Sequence, residues 1–271
     1  MRARLESEDF YFKRALGQNF LISDFVIERI LERAGQVHSD LILEIGPGLG
    51  ALTEGLQKLG RPLELLELDQ RICEYWRQKG LNVHEGDALR WKGWEALTPA
   101  SVLLVSNLPY QISASLVVDQ CAGPKNLNSM ILMFQKEVAQ RIQAAAGSKE
   151  YGLLSVMAQT HFQIQKVVDA GPRDFYPAPK VASRVLEFHR KDINFESDKL
   201  LQVLKTAFGQ RRKKLSSTLE KSGWLDSAKK PEMQTWLAVE GLGDGARPEH
   251  LAPNQWLQLL DFTGGLAGKL A

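Results

Sequence analysis

The sequence predicts an α/β fold, in which helices cover a mostly parallel β-sheet with an antiparallel hairpin at its edge, followed by a small all-α carboxyl-terminal domain. Short apolar runs typical of buried strands alternate with amphipathic helical stretches over the first two thirds of the 271 residues. After about residue 190, β-branched runs end and charged helical patterns dominate. We therefore expect domains at residues 1–190 and 191–271.

The first elements are a helix and a series of strands. Ser23 precedes an amphipathic stretch over residues 24–33, which predicts a capped helix that stops before Gly35. Short apolar segments predict five strands, at residues 41–45, 63–67, 81–84, 102–105 and 130–134. Helical patterns at 51–59 and about 70–79 separate the first three strands, and this alternation favours a parallel sheet.

The end of the first domain has a different pattern. Residues 162–168 and 184–188 are both rich in β-forming side chains and have no clear helix between them. These two segments predict a hairpin that closes one edge of the sheet.

Composition and charge exclude several classes of protein. The chain has no apolar run near the ~18 residues of a membrane helix, and its charged amino terminus does not resemble a secretory signal. Cys73 and Cys121 lack a paired spacing, so we expect no disulfide and no metal site.

The net charge is only +2, but eight basic residues lie in the segment from Lys205 to Lys230, against two acidic ones. That segment predicts a surface for phosphate groups, and we expect a cytoplasmic protein.

A glycine loop follows the first predicted strand. Gly46, Gly48 and Gly50 allow a tight turn and a close approach of the backbone to a ligand. With Ala51, the loop fits the pattern of dinucleotide oxidoreductases as well as that of S-adenosylmethionine enzymes. The loop alone therefore predicts a nucleotide-like cofactor without choosing between the two.

Carboxylates follow the next strands. Glu67 ends the second strand, where its side chain can accept both ribose hydroxyls of an adenosine. Asp87 follows the third strand and is a candidate acceptor for the cofactor's adenine amine. Glu44, before the loop, could support the glycine backbone or face the amino-acid end of the cofactor, and we favour the supporting role.

The segment Asn107-Leu108-Pro109-Tyr110 follows the strand at 102–105 and predicts the catalytic site. The Asn107 side-chain oxygen and the Leu108 carbonyl could accept the two N–H groups of an adenine amine, so that its nitrogen can pyramidalise as it attacks a methyl donor. Tyr110 could stack on the base, with Pro109 stiffening the turn. Phe175, on a proline-rich loop, is a candidate for the other face of the base.

These motifs together resemble the dimethyladenosine transferases of small-subunit ribosomal RNA, the kasugamycin-resistance methyltransferase family. The resemblance spans most of the chain and includes the segments 13–21, 44–50, 67–69, 86–88, 107–113, 135–138, 151–156, 175–181 and 208–213. The chain differs from the usual family pattern at Ser106, Gln111 and Ala178.

The resemblance implies a Rossmann-like methyltransferase that uses S-adenosylmethionine to dimethylate N6 of two adjacent adenosines near the 3′ end of small-subunit rRNA, within a pre-ribosomal small subunit. It implies a monomer without a metal, and a helical domain at 191–271 that binds RNA. The residues that it assigns to the cofactor are Asn19, Leu21, Gly46, Gly48, Glu67, Asp87 and Asn107. The residues that we expect to bind RNA are Arg211, Arg212, Lys213 and Lys214.

Three alternatives remain open at the level of sequence. A large-subunit rRNA methyltransferase of the macrolide-resistance type shares the glycine loop and the asparagine-aromatic motif. An RNA-binding assembly factor with secondary catalysis would also use the basic segment. A dinucleotide oxidoreductase fits the glycine loop but leaves the segment from Asn107 to Tyr110 unexplained.

Overall fold

The structure of the protein is a computed structural model, and it describes residues 19–263. The chain divides into two compact units. The first runs to Ala139 and resumes over Gln163–Arg190; the second contains Gln140–Phe162 and the residues from Lys191 onward. Residues 140–162 therefore group with the residues that follow Arg190, and the domain bounds 1–190 and 191–271 stay a prediction.

Nine strands are described. Their bounds are β1 Phe20–Leu21, β2 Leu41–Ile45, β3 Leu63–Glu67, β4 Asn82–Glu85, β5 Val102–Ser106, β6 Leu127–Gln135, β7 Phe162–Ala170, β8 Phe175–Tyr176 and β9 Ser183–Arg190. Seven strands form one sheet in the order β4-β3-β2-β5-β6-β9-β7, and β1 pairs separately with β8. The pairings among β2 to β6 are parallel, and β9 runs antiparallel to β6. The predicted mostly parallel sheet with an antiparallel edge is confirmed.

Helices alternate with these strands in the first unit. They are α1 Asp24–Gln36, α2 Thr53–Gln57, α3 Gln70–Gln78 and α4 Tyr110–Cys121. The next helix, α5 Lys136–Ile142, begins in the first unit and ends in the second. The central strands β2 and β5 are buried along their whole lengths, as parallel strands covered on both faces should be. Their carboxyl ends lead directly into the glycine loop and the Asn107 turn, so the sheet brings the two motifs side by side.

The prediction that α1 stops before Gly35 was wrong. The helix continues to Gln36, because Ala34 extends the buried stripe formed by Val26 and Ile30. Gly35 lies inside the helix, where an added β-carbon would meet Leu59 at 3.5 Å, an ordinary packing distance.

The second unit is helical. Its remaining helices are α6 Leu153–His161, α7 Ser197–Gly209, α8 Leu215–Lys221, α9 Lys230–Val239 and α10 Pro253–Leu259. Trp256 is fully buried, and its ring centroid lies 5.7 Å from that of Phe208. The Tyr151 hydroxyl donates to the Leu251 carbonyl over 2.8 Å. Residues 151–156, which the family pattern includes, therefore help to build the core of this unit.

Candidate active site

The glycine loop turns sharply at the end of β2. Gly46, Gly48 and Gly50 all have positive φ, at 65°, 51° and 89°. A β-carbon on Gly50 would lie 2.7 Å from the Trp76 ring, so a side chain is excluded there. Trp76 on α3 also donates its Nε1–H to the Gly48 carbonyl over 2.9 Å. The buried Trp76 indole therefore packs against the loop and also fixes its backbone. No motif in the sequence predicted this role.

Glu67 is 7% exposed at the end of β3, next to this loop. Its Oε1 accepts from the backbone N–H groups of Leu68 at 2.7 Å and Asp69 at 2.9 Å. Burial raises the pKa of the Glu67 carboxyl, and these backbone donors oppose the rise. These two bonds use Oε1 and fix the carboxylate plane, and the Gly48 backbone N–H also donates to the carboxylate. A carboxylate has about four acceptor positions, so further ones remain for a ligand.

The Asn107 turn is held from both sides. The Asn107 Nδ2 donates to the Asn19 carbonyl over 3.2 Å, which leaves Oδ1 as the acceptor that the side chain can offer to a substrate. Just before it, the Ser106 hydroxyl donates to the Ile45 carbonyl over 2.6 Å. Serine at this position, one of the departures from the family pattern, thus ties the end of β5 to the end of β2.

Tyr110 begins α4, with Pro109 as the residue that precedes the helix. The Tyr110 hydroxyl lies 2.7 Å from the hydroxyl of Ser183, a fully buried residue at the start of β9. Burial raises the pKa of the Tyr110 phenol, and the hydrogen bond with Ser183 opposes the rise. The contact fixes the direction of a ring that is only partly buried.

A single cleft joins these groups. Its lining consists of Asn19, Phe20, Leu21, Glu44, Gly46, Pro47, Gly48, Leu49, Ala51, Leu52, Glu67, Asn107, Leu108, Pro109 and Tyr110. The structure therefore brings together all but two of the residues expected to bind the cofactor or the base. Residues 13–18 of the family pattern lie outside the described residues.

Asp87 and Phe175 are the two residues that do not line this cleft. The Asp87 Oδ1 accepts from the Leu89 backbone N–H over 3.0 Å in a local turn. Phe175 is 3% exposed and belongs to the hydrophobic core, where it pairs across β1 and β8 with buried Leu21. The next pair, Phe20 and Tyr176, faces the opposite side, and Tyr176 is 42% exposed.

The basic segment between α7 and α8, which consists of Arg211, Arg212, Lys213 and Lys214, contains two kinds of side chain. Arg211 donates to the carbonyls of Lys149 and Ser148, at 2.9 and 3.1 Å. Lys214 forms an ion pair with Asp244 at 2.8 Å. Arg212 and Lys213 are exposed, and their side chains make no hydrogen bond or ion pair with the described residues.

Residues 19–263 contain no cluster of three or more His, Cys, Asp or Glu side chains that could hold a metal ion. None of their helices is long and apolar enough to cross a membrane. Cys73 and Cys121 are buried, and neither forms a disulfide bond.

Comparison with solved structures defines the class of protein. A crystal structure of a dimethyladenosine transferase from Plasmodium falciparum matches with a TM-score of 0.74 and 25% identity, covering 89% of this chain and 96% of that one. The 23S rRNA methyltransferase ErmE matches with a TM-score of 0.69 and 25% identity, covering 90% and 98%. The fold and the cleft are those of a Rossmann-like methyltransferase.

Sequence comparison identifies the family. The family model described as ribosomal RNA adenine dimethylase matches residues 9–263. The ribosomal RNA small subunit methyltransferase A of Bdellovibrio bacteriovorus is 49% identical over 255 residues, which cover 93% of this chain and 92% of that protein. The chain belongs to the ribosomal RNA adenine dimethylase family, and the expectation of an rRNA adenine methyltransferase is confirmed.

Proposed function

We propose that this enzyme uses S-adenosylmethionine to dimethylate N6 of two adjacent adenosines near the 3′ end of small-subunit rRNA, in a pre-ribosomal small subunit. The observation that carries the proposal is the Asn107 turn, which lines the same cleft as the glycine loop and Glu67. The name of the Bdellovibrio bacteriovorus relative supports the choice of the small subunit.

The cleft fits this cofactor. The Glu67 carboxylate retains acceptor positions for the ribose hydroxyls beside its three backbone donors. A β-carbon on Gly46 would meet no atom within 4 Å, so the missing side chain leaves open space beside the backbone. Asn19 and Leu21 close the cleft from the amino-terminal side. Asp87, with one oxygen in its local turn, is proposed to accept the adenine amine through the other.

When bound, S-adenosylmethionine supplies an electrophilic methyl group. Asn107 Oδ1 and the Leu108 carbonyl each accept one N–H of the target amine, which favours the pyramidal nitrogen that can attack. Tyr110, fixed by Ser183, stacks on the base and holds it in line. No strong base is required, because the amine becomes acidic only after its nitrogen gains positive charge.

The target adenosine must leave its stack to enter this cleft. Arg212 and Lys213, whose side chains have no partners among the described residues, are proposed to bind RNA phosphates. Arg211 and Lys214 contribute positive charge to the same segment but are held by local contacts. Phe175 does not line the cleft. We therefore propose that it acts on the base only indirectly, by packing against Leu21, which does line the cleft.

The proposal is tested by tritiated methyl transfer from S-adenosylmethionine to immature small subunits, followed by mapping of the modified nucleosides. We expect dimethyladenosine at two adjacent positions near the 3′ end of the RNA. Large subunits prepared in the same way are the control. Label that appears only in large-subunit RNA would contradict the proposal.

A large-subunit methyltransferase is the second candidate, because the fold also matches the 23S rRNA methyltransferase ErmE. Primer extension on both rRNAs after reaction with methylase-deficient subunits separates the two candidates. An assembly factor with secondary catalysis makes a different prediction. In a deletion strain, Asn107→Ala protein would then restore ribosome assembly as fully as wild type.

A further inference from the structure

Glu44 is a buried carboxyl group in the cleft to which the proposed chemistry gives no role. It lies on β2, it is 2% exposed, and it lines the cleft together with Gly46 and Asn107. Its Oε2 is buried and has no hydrogen-bond partner among the described residues. A buried oxygen of this kind is costly unless a ligand supplies a donor.

Among residues 19–263, the groups around Glu44 offer no positive charge. Glu67 faces it from β3 and is itself acidic, while Thr53 at the start of α2 is neutral. None of the described residues that line the cleft is Lys or Arg. Burial raises the pKa of Glu44 to about 8, the Thr53 hydroxyl lowers it, and the charge of Glu67 raises it further. In the free protein Glu44 is therefore a neutral acid at pH 7.

The proposed cofactor carries two positive centres, but only one suits the unpartnered oxygen. The sulfonium has no hydrogen to donate, whereas the α-ammonium has three N–H donors. A carboxylate that accepts from an ammonium in a water-poor site makes a strong, charge-assisted hydrogen bond. The ammonium can therefore supply both the donor and the charge that Glu44 lacks.

We propose that Glu44 binds the α-ammonium of the cofactor as a carboxylate and releases its proton to solvent when the cofactor binds. This inference rests on the proposed function, because it takes S-adenosylmethionine as the cofactor. It assigns Glu44 to recognition of the amino-acid end of the cofactor, whereas the sequence alone favoured support of the glycine backbone.

The pH dependence follows from the direction of the shift. Near pH 8 and above, Glu44 is already ionised in the free protein, so binding releases no proton from it. Below that pH the free group is protonated and the bound group is not. The affinity should then rise by up to about tenfold per pH unit between roughly pH 6 and pH 7.5.

Isothermal titration calorimetry with S-adenosylhomocysteine tests the proposal. This product keeps the ammonium and does not react. Titrations at about pH 6.5 in phosphate and in imidazole, whose ionisation enthalpies differ, should show the release of about one proton. With Glu44→Gln we expect no proton release, an affinity that does not change over this pH range, and binding at least about tenfold weaker.

5′-Methylthioadenosine, which lacks the amino-acid end, is the matched ligand. It should bind both proteins equally and release no proton, which shows that the variant is folded and that Glu67 is not the source. Glu64→Gln, on the same strand as Glu67 but outside the cleft lining, should behave as wild type.

The outcomes separate the two proposals. Binding of S-adenosylhomocysteine without proton release, or equal release by Glu44→Gln, would overturn the role of Glu44 and leave the cofactor intact. Failure of wild type to bind either ligand would overturn both.

Discussion

The cleft and the basic segment between α7 and α8 use polar side chains in opposite ways. In the cleft, Glu67 and Asn107 are each held by hydrogen bonds to the backbone, and each retains acceptor positions. In the basic segment, Arg212 and Lys213 are exposed side chains without partners among the described residues. Chemistry needs fixed acceptors, whereas phosphate binding tolerates mobile charges. Substitutions should therefore affect rate in the first region and salt-dependent affinity in the second.

Replacement of Asn107 should give the largest effect. Asn107→Ala removes the acceptor for the target amine, so we expect the methyl-transfer rate to fall about 1000-fold or more. Cofactor affinity should fall far less than the rate, because Asn107 is only one of the residues expected to bind the cofactor and the glycine loop and Glu67 are unaltered. Single-turnover methyl transfer measures the rate, and calorimetry measures the affinity.

Asn254→Ala is the control for this change, because Asn254 is an exposed asparagine on α10. It should leave the rate unchanged. An Asn107→Ala enzyme that turns over like wild type would show that the turn positions no acceptor, and the contrast between the two regions would fail.

The positions of Glu67 and Asn107 could be predicted from sequence because both follow strands of a parallel sheet. The carboxyl ends of such strands meet at one edge, whatever the details of packing. The parallel character of the sheet followed from the alternation of apolar and helical segments, and its antiparallel edge followed from two β-rich segments without a clear helix between them.

The parts of the site that could not be predicted from sequence depend on packing between residues far apart in the chain. Phe175 points into the core and Tyr176 outward because of the pairing of β1 with β8, a pairing that no local pattern indicates. The donation of Trp76 to the Gly48 carbonyl joins residues 28 positions apart. Likewise, Arg211 and Arg212 are adjacent and chemically alike. Arg211 differs because it contacts two carbonyls and pairs with Glu249 at 3.5 Å.

Charge reversal in the basic segment should give an intermediate effect. Arg212→Glu with Lys213→Glu should weaken RNA binding at least about tenfold and reduce the slope of log K against log salt by about 2. Unfolding temperature should not change, since neither side chain has a partner among residues 19–263. Filter binding at several salt concentrations measures both quantities.

Two variants sharpen this result. Lys58→Glu with Lys92→Glu makes the same change of charge at exposed positions of the first unit, and should leave the salt slope unchanged. Arg211→Glu should instead lower the unfolding temperature by about 4 °C, because it removes the donor to the Ser148 and Lys149 carbonyls. Equal salt slopes in the Arg212/Lys213 variant and wild type would place the RNA elsewhere.

The smallest effect should come from the support beneath the cleft. Trp76→Phe keeps an aromatic ring against the glycine loop but removes the donor to the Gly48 carbonyl. Losing one neutral hydrogen bond costs about 1 kcal/mol, so we expect cofactor affinity to fall by about fivefold. Trp224→Phe, which removes an indole bond to Thr206 in the other unit, should leave that affinity unchanged. If both variants bind S-adenosylhomocysteine as wild type does, the glycine geometry alone holds the backbone of the loop. Fixed polar groups in the cleft would then be limited to Glu67 and the Asn107 turn.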